Sequence, residues 1–249
     1  MTYETLAIER RGAVATIWMD RPDVFNAFNE QLIAELAAAC VELDADAAVR
    51  VVVLAGRGKH FSAGADLNWM RRAADSTEAE NLADSRKFAA MLSTLAGMSK
   101  PTIARVQGAA LGGGTGLAAA CDMAIAAENA SFATSEVKFG IIPAAISPYV
   151  VRAIGARQSY RYFQSAERID AVRARELGLV HEAVEPEQLD SWTEQVTLNL
   201  VWKPDVDGMH LGDMHYRAAI VLERFADHPA RLMALVGSWL ENHDTNRDR

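Results

Sequence analysis

Two short stretches, Ser62-Ala63-Gly64-Ala65-Asp66 and Gly112-Gly113-Gly114, each follow an apolar strand-like run and open a helix-like one. A helix start leaves its first backbone N–H groups without carbonyl partners. Such donors can hold the negative charge that develops on a carbonyl oxygen, and two turns converging on one carbonyl make an oxyanion hole. Glycine at a strand-to-helix turn also serves positive φ or close packing alone. It is therefore the pair of turns that points to acyl or thioester chemistry.

The elements that must position these turns alternate along the chain. Thr5–Glu9 and Ala13–Met19 read as strands joined by a hairpin turn at Arg10-Arg11-Gly12. Asn29 caps a helix whose apolar face is Leu32, Ile33, Leu36, Ala39, Cys40 and Leu43, with Glu30, Glu35, Glu42 and Asp44 off that face. The strand Val51–Ala55 leads into the first turn and a short helix over Leu67–Arg72. A longer helix spans Glu78–Leu95, with Leu82, Phe88, Met91, Leu92 and Leu95 inward, and Lys100-Pro101 ends it. Thr102–Val106 leads into the second turn, a helix over Thr115–Ala120 and a strand over Asp122–Ala126, with which Ser131–Ser135 pairs. From Ser147 the chain is mostly helical, with a short strand over Leu179–Val184 and a helix from Pro186 to about Val201. Strands separated by helices imply an α/β fold with a mainly parallel sheet, built as repeated turns of one superhelix.

Composition narrows the function. The 249 residues are half hydrophobic, enough for one substantial core with a small appended region. A formal charge of -8 argues against a nucleic-acid partner, whose affinity comes from clustered cations. The longest small-apolar stretch, Ile103–Ile125, is broken by Arg105, Gln107 and Asp122, so no membrane span is expected, and the start of the chain carries no secretory pattern. A cytoplasmic protein is expected. Cys40 and Cys121 fall in alanine-rich helical patterns as small buried thiols. The six histidines, His60, His181, His210, His215, His228 and His243, lack metal-ligand spacing, so no metal is expected. The glycines fit neither a Rossmann fingerprint nor a Walker loop, and no separate cofactor is expected.

Phe61–Leu67, Val106–Gly114 and Ser135–Pro143, taken in order, resemble the crotonase, or enoyl-CoA hydratase/isomerase, superfamily over roughly residues 5 to 200. The Arg21-Pro22 to Asn29 region resembles that family's coenzyme A contact segment. The resemblance implies a crotonase-like spiral of repeated ββα units with a helical C-terminal region. It also implies an acyl-CoA thioester partner, with coenzyme A as part of the substrate, and a homotrimer or dimer of trimers. It assigns the backbone of Ala65 and Gly113 to the oxyanion hole and Glu136 to proton transfer, and places Ala27, Ala63, Ala65, Asp66, Leu67, Gly112 and Gly113 at the substrate. Apolar Val137, Phe139 and Ile141 beside Glu136 are expected to raise its pKa. Asp66 reads as a helix-start residue near the coenzyme A site.

One departure from the family pattern stands out. Its typical hydratases carry a second glutamate two residues beyond the triple glycine, where this chain has Gly116. A single carboxylate at the position of Glu136 is also the pattern of the family's Δ3,Δ2-enoyl-CoA isomerases. Gly64–Met70, Ser135–Val137 and Ala145–Pro148 resemble bacterial 3-methylglutaconyl-CoA hydratases of leucine breakdown, which favours hydration of a 2-enoyl-CoA. Isomerisation, or acyl-CoA binding without catalysis, stays open. Arg71, Arg72 and Lys138 are the cations nearest in sequence for a carboxylated acyl group. The expected organisation is a core over 1–200 and an atypical segment over 201–249, where helices resume at Asp213–Phe225 and Pro229–Leu240.

Overall fold

The computed structural model describes residues 3–201. The chain divides into two units, Met1–Val201 and Trp202–Arg249. The helices expected at Asp213–Phe225 and Pro229–Leu240, and His210, His215, His228 and His243, lie outside the described residues.

The hairpin forms as the sequence indicates. Strand β1 (Leu6–Arg11) pairs antiparallel with β2 (Val14–Met19). Helix α1 (Glu30–Ala45) then returns the chain to β3 (Val51–Gly56), which lies parallel to β2. Asn29 caps α1 through a 2.9 Å hydrogen bond accepted from the Leu32 amide, and all six residues of the expected apolar face are buried. Helices α2 (Leu67–Asp75) and α3 (Glu78–Ala96) follow, then β4 (Thr102–Val106), β5 (Ala109–Leu111), α4 (Gly113–Ala120), β6 (Met123–Ala127) and β7 (Ser131–Ala133). Helix α5 (Ser147–Ser165), β8 (Ile169–Asp170), α6 (Ala171–Leu177), β9 (Glu182–Val184) and α7 (Leu189–Val201) complete the described chain.

The strands sort into two sheets. The larger has the order β1-β2-β3-β4-β6-β9 and is parallel from β2 onward, and the smaller has the order β5-β7-β8. Single bridges between Phe28 and Ala65, and between Ser62 and Ala110, carry the smaller sheet's pairing further. Successive turns of the chain thus add a long strand to one sheet and a short pairing to the other. This is the superhelical repeat expected from the sequence. All six residues of β3 are buried, as a central parallel strand requires. Val52 and Leu54 face the main core, while Val51 and Val53 join Ile103, Ile125 and Leu189 in a second cluster on the other side.

Four local expectations are corrected. Ser131–Ala133 pairs with β5 and β8 in the smaller sheet, not with β6. Helix α3 stops at Gly97, before Pro101, and Leu82 on it is exposed. Helix α4 starts two residues earlier than expected, at Gly113. Glu35 is buried, and its carboxylate accepts hydrogen bonds from the amides of Glu4 and Thr5, the Thr5 hydroxyl and the Gln31 side chain. Burial acts to raise its pKa, but these donors outweigh it and hold the carboxyl below its usual value. Its stabilising contribution is therefore present above the ordinary glutamate pKa and is lost as pH falls through the lowered one. Glu35→Ala strands two amides of the chain start and should cost about 2 to 3 kcal/mol at pH 7. Chemical denaturation at pH 7 and pH 3 checks this, with the wild-type advantage shrinking in acid.

Candidate active site

The first glycine turn is shaped by the segment before α1. Phe28 donates its amide to the Gly64 carbonyl at 2.7 Å, and its own carbonyl accepts from the Asp66 amide at 2.9 Å. A residue flanked by two such bonds turns its own N–H to the opposite side. Ala65 is that residue, and it is exposed and donates to no acceptor among the described residues. Gly64 adopts φ +89, a conformation that favours glycine. Asp66 caps α2 by accepting from the Asn68 amide at 2.8 Å, and it pairs with Arg21 at 3.0 Å. Burial opposes that carboxyl's charge, but the Arg21 guanidinium and the helix amides prevail and hold its pKa below the ordinary value. Arg21 also donates to the carbonyl of Ala27, so one guanidinium joins the segment before α1 to the first turn. Ala27 is buried, Ala63 half-buried, and Leu67 exposed.

The second turn lies against the first. A β-carbon on Gly64 would sit 2.9 Å from the Leu111 carbonyl oxygen, and one on Gly114 would sit 2.8 Å from that of Ser62. Gly112 has φ +51 and donates its amide to Ala133, leaving Gly113 as the first residue of α4. The Gly113 amide is one of the orphan donors of a helix start and has no acceptor among the described residues. Phe28 and Phe88, edge to face at 5.4 Å, close the other side of Gly113. A β-carbon there would meet them at 2.9 to 3.0 Å, so a proline at 113 disturbs packing as well as deleting the N–H.

Glu136 completes the cluster. A β-carbon on Gly112 would lie 3.3 Å from its Oε1, while Oε2 is buried without a hydrogen-bond partner among the described residues. Burial raises the carboxyl's pKa, opposed only by its own backbone amide. The sequence indicates this direction for a different reason. Val137, Phe139 and Ile141 are exposed, so the desolvation does not come from burying those neighbours. A carboxyl with a raised pKa thus stands beside the turn that presents the Gly113 amide, an arrangement able to stabilise an enolate and move a proton next to it.

The family profile described as enoyl-CoA hydratase/isomerase matches residues 9–217. The chain belongs to the enoyl-CoA hydratase/isomerase family. A probable enoyl-CoA hydratase of Mycobacterium tuberculosis is 40% identical over 190 residues, covering 76% of this chain and 72% of that protein. A crotonyl-CoA hydratase of Syntrophomonas wolfei is 35% identical over 197 residues, covering 76% and 72%. The crystal structure of an enoyl-CoA hydratase/isomerase from Marinobacter aquaeolei superposes with a TM-score of 0.86 at 33% identity, covering 96% of this chain and 90% of that one.

The space around Gly116 is already filled. A β-carbon there would fall 2.1 Å from Ile146 Cγ2, so Ile146 fills the volume that a side chain at 116 would enter. Ile146 is itself buried. The other charged candidates are occupied or outside the cluster's contacts. Arg72 pairs with Glu30 at 2.8 Å, Arg71 bonds Asn68 at 3.3 Å, and Lys138 is exposed. His60 and His181 accept backbone hydrogen bonds from Ala109 and Ala124, and burial pushes the Cys40 thiol up to about 12. Arg21 and Phe28 are residues whose site contacts sequence reasoning missed. The Arg21-to-Asn29 likeness flagged their region but not which atoms they hold.

A raised folded pKa means that burying the Glu136 charge lowers stability, most fully above that pKa. Glu136→Gln should therefore melt higher than wild type at pH 7 and lose that advantage near pH 4, as calorimetry over this range will show. Gly116→Ala should destabilise the fold by about 1 to 3 kcal/mol through overpacking against Ile146, read from denaturation midpoints.

Proposed function

We propose that this enzyme hydrates 2-enoyl-CoA thioesters, with the amides of Ala65 and Gly113 on the thioester carbonyl oxygen and Glu136 as the proton carrier. The observation that carries the reading is the buried carboxyl oxygen of Glu136, unpaired among the described residues, beside a glycine turn whose Gly113 amide has no acceptor among them. Glu136 takes a proton from water as the water oxygen bonds to C3 of the enoyl group. The C2=C3 electron pair shifts toward the thioester, and the oxygen gains negative charge between the two N–H donors. The carboxyl then returns a proton to C2, which restores the carboxylate and leaves a 3-hydroxyacyl-CoA. Because the amides bond the enolate-like oxygen more strongly than the neutral carbonyl, they lower the barrier rather than only tightening binding. Each such donor is worth on the order of 3 kcal/mol of barrier.

Hydratase names among the relatives support addition of water, and so does the family match. A second reading, isomerisation of a 3-enoyl-CoA, has one specific observation in its favour. Ile146 stands where a second carboxylate would need to enter, and one base is enough to carry a proton from C2 to C4. Likeness around Gly64–Met70 and Ala145–Pro148 supports 3-methylglutaconyl-CoA as the finer choice of substrate. The exposed apolar run Val137, Phe139, Ile141 and Ile142 supports a contact with another copy of the chain, and the family likeness supports a homotrimer or dimer of trimers.

Incubation with crotonyl-CoA, 3-methylglutaconyl-CoA and a 3-enoyl-CoA in heavy water separates these readings. A 3-hydroxyacyl product carrying deuterium at C2 is expected, and it should vanish in Glu136→Gln. Migration of the double bond without added water would identify an isomerase, and binding without deuterium uptake would remove the catalytic reading. The raised pKa of Glu136 places the acid limb of the rate above the ordinary glutamate range, because the carboxylate must be unprotonated to take a proton from water. A kcat/KM profile from pH 4 to 8 checks that limb.

A further inference from the structure

We propose that Asn26 and Ser62 act together as positioning residues that fix where the Ala65 amide points and how far it stands from the second glycine turn. This rests on the reading of Ala65 as an oxyanion donor. Asn26 is fully buried, and both Phe25 and Asn26 hold left-handed backbone conformations, with φ of 56 and 55. Such conformations are costly outside glycine and persist where surrounding bonds enforce them. The enforcing bonds come from the Asn26 side chain. Its Nδ2 donates to the carbonyls of Arg57 and His60 at 2.9 and 2.8 Å, and its Oδ1 accepts from the Arg21 amide at 2.9 Å. One amide group thereby fastens the bend to the stretch that runs from β3 to the first turn.

From that bend the geometry is passed residue by residue. The Phe25 carbonyl accepts from the Ala63 amide at 2.9 Å, and the Asn26 carbonyl accepts from the Ser62 hydroxyl at 2.9 Å. The same hydroxyl accepts from the Gly64 amide at 3.3 Å, next to Ala65. Ser62 also touches the second turn, because its amide donates to Ala109 and its carbonyl accepts from Leu111, at 3.0 and 2.9 Å. Its carbonyl and β-carbon lie against Gly114, with no room for a side chain between them. Ser62 is therefore where the left-handed bend, the first turn and the second turn meet. Both side chains are fully buried and the Ser62 hydroxyl already donates its proton to the Asn26 carbonyl, so the pair works through the amides it aims.

The test is the thioester C=O stretch of bound butyryl-CoA, labelled with carbon-13 at the carbonyl and lacking a double bond to react. In wild type the band should move to lower wavenumber on binding, because hydrogen bonds from two amides polarise it. Ser62→Ala keeps the backbone pairings and loses only the hydroxyl, so the band should return part of the way toward its position in water. Its kcat on crotonyl-CoA should fall on the order of tenfold with KM little changed, as misaimed catalytic groups do. Asn26→Ala should act in the same direction and more strongly. Leu43→Ala, a core truncation in α1, serves as the control and should destabilise the fold without moving the band. A band in Ser62→Ala that matches wild type would overturn the positioning role while leaving the oxyanion reading intact. A wild-type band that does not move on binding would remove both.

Discussion

The two single-residue bridges, Phe28 with Ala65 and Ser62 with Ala110, are the constraint on which the site depends. Each is only a pair of backbone hydrogen bonds, yet together they place three distant stretches of chain side by side. The alternation of a paired strand then does the rest. With Gly64 and Asp66 bonded to Phe28, the polar groups of Ala65 must turn to the opposite side. The free amide is a consequence of the pairing next to it.

The cost of such a site is carried by the rest of the fold. An unbonded buried carboxyl oxygen and free amides lower stability, and the left-handed bend at Phe25-Asn26 adds to that. Close packing offsets it. Helix α4 is built from glycine, alanine, one threonine and one leucine, which lets it run tightly between the two sheets' strands and α5. Its buried face brings Gly113 to Phe28 and Phe88, and Gly116 to Ile146. These contacts fix α4 along its length and so hold its first amide in place.

The same packing shapes the chemistry. Ile146 fills the volume beside Gly116, and Glu136 is the carboxylate that lies against the second glycine turn at Gly112. Its desolvation comes from burial of the carboxyl, and the apolar residues that follow it along the chain remain exposed. The proton affinity of this group is thus a property of where the 3₁₀ turn over Glu136–Phe139 is seated.

Much of the local structure was legible in the sequence. The hairpin at Gly12, the cap at Asn29 and the buried face of α1 are set by neighbours a few residues apart, whose periodicity and turn chemistry act before any tertiary contact. The place of Glu35 off the apolar face does not reveal its burial, because a carboxylate is buried only when donors arrive from elsewhere, here from Glu4 and Thr5. The pairing of Ser131–Ala133 with β5 is not legible locally, since strand-like residues do not specify which of two sheets they join. The residue types able to make the site, two glycine turns and a glutamate, were in the sequence together with a family likeness. Their meeting was decided only in three dimensions, because the two glycine turns adjoin and Glu136 lies against the second through pairings and packing between segments far apart along the chain, which no local pattern encodes.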